Sequence, residues 1–196
     1  MAGASAAPAP TILIDSVLYD GYALDDADEA VRLVNAGATT VDLSGWRLGD
    51  GASEATLPGG AALAPGAALW LARDAATFRF QFGHDADLQL SPWPGYSNSG
   101  DEVVLRDAAG ATVDALVYAA GDTARDGWFG PALAPYRVVS VFAAEGQLLF
   151  RRRDEATGLP IADSDTAADW AQMTADPIAG RKVRYPGWSA ERFAAP

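Results

Sequence analysis

No cysteine occurs among the 196 residues. That excludes a disulfide framework, a thiolate metal site and a thiol nucleophile, and leaves the redox compartment unread. Histidine and lysine each occur once, as His84 and Lys182. A serine–histidine–acid triad needs its imidazole beside an elbow serine, and no Gly-x-Ser-x-Gly is present. His84, in Gly83-His84-Asp85, reads as a surface-loop residue. It lies far in sequence from Lys182, so the His-x-Lys-x4-Asp pattern of phospholipase D-type phosphodiesterases is absent as well. Walker, dinucleotide-glycine and His-Glu-x-x-His patterns are missing too, which leaves phosphate cradling and zinc hydrolysis without their geometry. No apolar run approaches the roughly 18 residues of a spanning helix, so no membrane span is expected. Residues 1–10 lack both the basic start and the apolar core of a secretory signal and read as a flexible leader.

What the chain does have is ample apolar substance. Hydrophobic residues make up 49% and charged residues 20%, the balance of a globular protein, and the length suits one dominant core. The formal net charge is −12, which repels a polyanion and disfavours nucleic acid as a partner. The charge is uneven: residues 1–120 carry 5 basic and 16 acidic side chains, residues 121–196 carry 9 and 10. Two faces of different potential are expected.

The local pattern favours strands. Short apolar or alternating runs at residues 12–18, 30–34, 68–72, 102–106 and 112–118 are separated by Asn35-Ala36-Gly37, Gly49-Asp50-Gly51, Pro58-Gly59-Gly60, Pro65-Gly66 and Asp107-Ala108-Ala109-Gly110. Spacing near ten residues predicts an all-β sandwich or barrel over residues 11–120. One helix is expected between Asp74, an N-cap candidate, and Gly83. After Gly121 the chain becomes rich in Pro, Gly and Trp. Residues 121–196 read as a loop-rich extension wrapped on the sandwich, because Trp128, Tyr136, Trp170 and Trp188 are too apolar to leave together in water.

Several polar groups invite a chemical reading, each with a plainer alternative. Asp25 with Asp28, or Asp85 with Asp87, could act as an acid and base pair in a hydrolase fragment; solvated loops explain them as well. The acidic stretches 25–29 and 163–169 offer hard oxygens to calcium, yet neither has the calcium-loop pattern, and turn or cap roles compete. Arg151-Arg152-Arg153 and Arg181-Lys182-Val183-Arg184 could bind anions or pair with the chain's own surplus carboxylates. Trp46, Trp70, Trp93, Trp128, Trp170 and Trp188 could present a platform for sugar rings or fill the core. None of these supports a catalytic, cofactor-binding or metal-site assignment.

The run Asp28 to Gly37, then Leu43-Ser44-Gly45-Trp46, Leu63-Ala64-Pro65-Gly66 and Asn98-Ser99-Gly100-Asp101, resembles the lamin tail domain family over residues 11–120. The resemblance implies an immunoglobulin-like β-sandwich in which Asn35, Leu43, Gly45, Trp46, Asn98, Gly100 and Asp101 are architectural. Gly45 and Gly100 would relieve turn sterics, Trp46 would fill core, and Asn98 or Asp101 would bond turn amides. Ala30 stands where the family more often has a bulky aromatic, which implies that another ring fills that space. Residues 145–152, 163–170 and 185–188 are similar to an extension found beside bacterial members that precede phospholipase D-like regions. The implied role is a noncatalytic structural or interaction module. It would be extracellular or envelope-associated and accessory to a hydrolase or phosphodiesterase, with a protein or envelope component as partner. A carbohydrate-binding sandwich is the alternative.

Overall fold

A computed structural model describes residues 12–135, 146, 148–154 and 156–171. The leader, Tyr136, Trp188 and the basic cluster 181–184 lie outside the described residues. In chain order the elements are β1 (Ile12–Leu18), β2 (Ala30–Asn35), β3 (Val41–Asp42), β4 (Arg47–Gly49), β5 (Glu54–Thr56), β6 (Ala62–Leu63), β7 (Ala68–Ala72), α1 (Ala75–Phe82), β8 (Leu88–Gln89), β9 (Gly100–Arg106), β10 (Thr112–Ala119) and β11 (Leu148–Phe150).

The five runs with apolar alternation form the five longest strands. They sort into a five-stranded sheet, β11–β1–β2–β7–β8, and a four-stranded sheet, β10–β9–β4–β5, with β3 and β6 as a small separate pair. All pairings are antiparallel except β7 with β8. The fold is an all-β sandwich. Val31 and Leu33, Leu69 and Leu71, Val103 and Leu105 alternate inward at the period of two that a pleated strand imposes, and they meet in the inter-sheet core with Trp46 and Leu48.

The helix appears as anticipated. Asp74 caps it by accepting from the Thr77 amide at 2.7 Å, and Gly83 ends it at φ 79°. It covers the outer face of the five-stranded sheet, where Phe78 and Phe82 stack on each other at 4.1 Å and tilt against Trp70. Ala30 belongs to this outer cluster, so rings from β7 and α1 occupy the space above its small side chain.

Two irregularities set up the rest. β1 slips register against β2 between Ile14 and Ser16, so Ile12 and Ile14 face the inner core before the bulge while Val17 and Tyr19 face it after. β10 slips against β9 between Thr112 and Asp114. The late residues also do more than wrap the sandwich. β11, anticipated only as an apolar run within a loop-rich segment, pairs with β1 through Ser16–Phe150, Val17–Leu149 and Leu18–Leu148. Leu149 joins the inner core while Leu148 and Phe150 join the outer one.

Candidate functional site

The strand direction of β11 carries Arg151 to the same side as Leu149, into the seam where β1 approaches β10. Arg151 is 1% exposed. Its Nη2 donates to both carboxylate oxygens of Asp114 at 2.9 and 2.7 Å, its Nη1 to Asp163 at 2.8 Å, and its Nε to the Ile14 carbonyl at 3.0 Å. The guanidinium also lies 5.0 Å from the ring centroid of Trp170. Asp114 is fully buried and accepts the Ile14 amide at 2.6 Å. Beyond the end of β11, the outward backbone groups of Ile14 are thus satisfied by an ion pair instead of a neighbouring strand. Burial pushes the Asp114 carboxyl up to about 7 against the pull of Arg151.

Arg153 repeats the device, gripping the buried Asp15 at 2.6 Å, with Arg32 on the same carboxylate at 3.3 Å. Arg152 points elsewhere and donates to the Ala168 carbonyl. Arg151 and Arg153 are therefore taken up by internal pairing with carboxylates, while Arg152 stays exposed. In the stretch 163–169, Asp169 accepts from Ser164 and Thr166 and closes a capping box with Thr166. Carboxylate oxygens of Asp114, Asp163 and Asp165 lie within 4.8 Å of one another, but Arg151 already neutralises Asp114 and Asp163 from inside that group. Burial opposes ionisation of Asp163, yet Arg151 holds its carboxyl below the usual value.

The other expected acids are also in structural use. Asp28 accepts the amides of Tyr22 and Ala23, and Asp26 accepts that of Gly21. Asp87 accepts the Trp70 amide at 2.7 Å, while Asp85 makes an exposed pair with Arg79. His84 is half-buried with its ring edge against Phe78 and Phe82, so it sits at the outer aromatic cluster and not in an open loop. Glu29, the last acid of the stretch 25–29, is buried against Arg73 at 3.1 Å, and burial pushes its carboxyl up to about 8. The tryptophan platform does not form among the described residues. Trp46, Trp70, Trp128 and Trp170 are buried and Trp93 is half-buried, because each indole contributes more to packing than to an open surface.

The seven family-like residues are placed as follows. Asn35 is buried and donates to the carbonyls of Thr39 and Leu63, both at 2.8 Å, while accepting the Gly37 amide. Leu43 and Trp46 are core residues, and Gly45 turns at φ 76°. Asp101 accepts the amides of Ser97 and Glu102. Of the two candidates for bonding turn amides, Asp101 is the one that does so, and the Asn98 side chain bridges to Asp26 at 3.1 Å. Gly100 stands at φ 132° hard against Ala120.

The sequence carries a signal for the Asp114–Arg151 clasp. Asp15 and Asp114 are carboxylates inside apolar strands, and each requires a cation; the arginines that follow Leu148-Leu149-Phe150 supply them.

Comparison with known proteins fits this architecture. The sequence model of a family described as Lamin Tail Domain matches residues 5–120. A solved structure of a DUF4876 family protein from Bacteroides thetaiotaomicron is similar with a TM-score of 0.53 at 14% identity, covering 93% of this chain and 75% of that one. At that identity the likeness concerns the fold alone. No curated protein matches the chain.

Proposed function

The chain belongs to the lamin tail domain family, and from that premise we propose that it acts as a noncatalytic interaction module accessory to a secreted or envelope-associated hydrolase or phosphodiesterase. Its immunoglobulin-like sandwich provides a rigid body, and the partner is a protein or envelope component. The observation that carries this reading is where the charges go. The two acids with strongly raised pKa, Glu29 and Asp114, are each sealed by an arginine in separate parts of the fold, and each completes the packing around it. Perturbed acids of this kind mark active sites when they face a cleft and a reacting partner; here they face arginines. No described helix is long and apolar enough to cross a membrane.

Exposed side chains remain for contact, among them Leu24, Phe80 and Phe129. Photo-crosslinking from position 80 or 129 in producing cells, alongside a bis-p-nitrophenyl phosphate assay of the purified chain, tests the proposal. A discrete adduct with a secreted or envelope hydrolase and background turnover are expected. Turnover that disappears in Glu29→Gln would overturn the noncatalytic reading, and the absence of any adduct would overturn the accessory one.

A further inference from the structure

The junction between extension and sandwich carries more negative charge than its one cation balances. Asp114 from β10, Asp163, Asp165 and Asp169 from the loop after β11, and Asp126 from the loop after β10 all bear on it, with Arg151 as the guanidinium that faces them. Asp114, Asp163 and Asp169 are well bonded. The Asp165 side chain makes no hydrogen bond among the described residues, and its backbone is held at φ 55° by the loop. The same loop grips the sandwich through the Phe129 amide, which donates to the Asp165 carbonyl at 2.7 Å, and through Trp170 beneath Arg151.

We propose that this junction is a pH-responsive clasp: the carboxylate cluster takes up a proton from solvent as pH falls, fastening the extension to the sandwich, and releases it as pH rises, loosening the extension. Closing the clasp brings like charges to within 4.8 Å of one another, a repulsion that Arg151 relieves for Asp114 and Asp163 and leaves standing at Asp165. Such groups titrate as a unit, so the proton belongs to the cluster. Burial raises the Asp114 carboxyl to about 7, and burial with the charges of Asp163, Asp169 and Asp126 raises that of Asp165. A carboxyl raised in the closed state stabilises that state fully below its ordinary pKa, near about 4, and loses the contribution as pH climbs through the raised value. The clasp is tightest in mild acid and loosens through neutrality.

Hydrogen exchange of the full chain at pH 5.5 and 8.5 reads this directly, with protection in residues 148–154 and 161–171 expressed relative to the β9 amides so that intrinsic exchange cancels. Opening of the extension is expected to rise about fivefold or more at the higher pH. Asp165→Asn keeps the backbone conformation, touches none of the bonds to Arg151 and removes the surplus charge, so its clasp should open less steeply with pH than the native one. A pH-independent native ratio, or an Asp165→Asn variant with the native slope, would overturn the proposal. Arg151→Lys checks that the segments read out the clasp: it should open them at both pH values, and unchanged protection would also count against the proposal.

Discussion

At Gly100 a Cβ would come within 2.0 Å of the Ala120 amide nitrogen, and the backbone sits at φ 132°, where an L side chain is strained even in open space. Gly100→Ala should therefore cost about 2–3 kcal/mol in urea unfolding, the sum of a strained dihedral and a forced backbone shift. A loss below a few tenths would mean the turn has slack that the geometry denies. The glycine was legible through the family resemblance, which carries Asn-x-Gly-Asp before a strand. The partner of Asn98 was not, since Asp26 is 72 residues away in sequence and only the folded loops bring them together. The same limit hid the clasp: a buried carboxylate in a strand signals that a cation is needed, but not which of the arginines reaches it.

The elements with strong periodicity were legible and the short ones were not. β1, β2, β7, β9 and β10 each have enough alternating residues to declare a face. β3, β6 and β8 are two residues long and exist because neighbours align them, so no local pattern could mark them. In α1, capping residues at both ends outweighed the strand-like alternation of Phe78, Phe80 and Phe82. The structure shows why: Phe78 and Phe82, one helical turn apart, go under the helix against Trp70, and Phe80 is left 69% exposed. Phe82→Ala should destabilise by about 3–5 kcal/mol by opening a cavity in the outer cluster, whereas Phe80→Ala should change stability by less than about 0.5 kcal/mol. Equal effects in thermal or urea unfolding would contradict the placement of α1.

For the whole molecule, the titrating groups act in two directions. Glu29 and Asp114 are raised by burial, to about 8 and about 7, so their contribution is present at low pH and lost as pH rises through those values. Asp50 and Asp74 are lowered by amide and hydroxyl donors, so theirs is present above the ordinary carboxylate range and lost in acid. The net charge of −12 adds self-repulsion at high pH. Tm should peak between about pH 5 and 6 and fall steadily towards pH 9; a Tm flat or rising from pH 6 to 9 would contradict the burial of these acids.

The same burial makes the late residues part of the body of the fold, because β11 and Arg151 complete a sheet edge and an ion pair that the family-matched region leaves open. A double-mutant cycle on Asp114 and Arg151, with Asp114→Leu and Arg151→Met, measures this in urea unfolding. Each single change strands a buried charge and should cost about 3–5 kcal/mol, while the pair together should cost far less than the sum, a coupling of several kcal/mol in one cooperative transition. Additive losses, or an extension that melts separately from the sandwich, would contradict the claim that these charges serve to hold the molecule together.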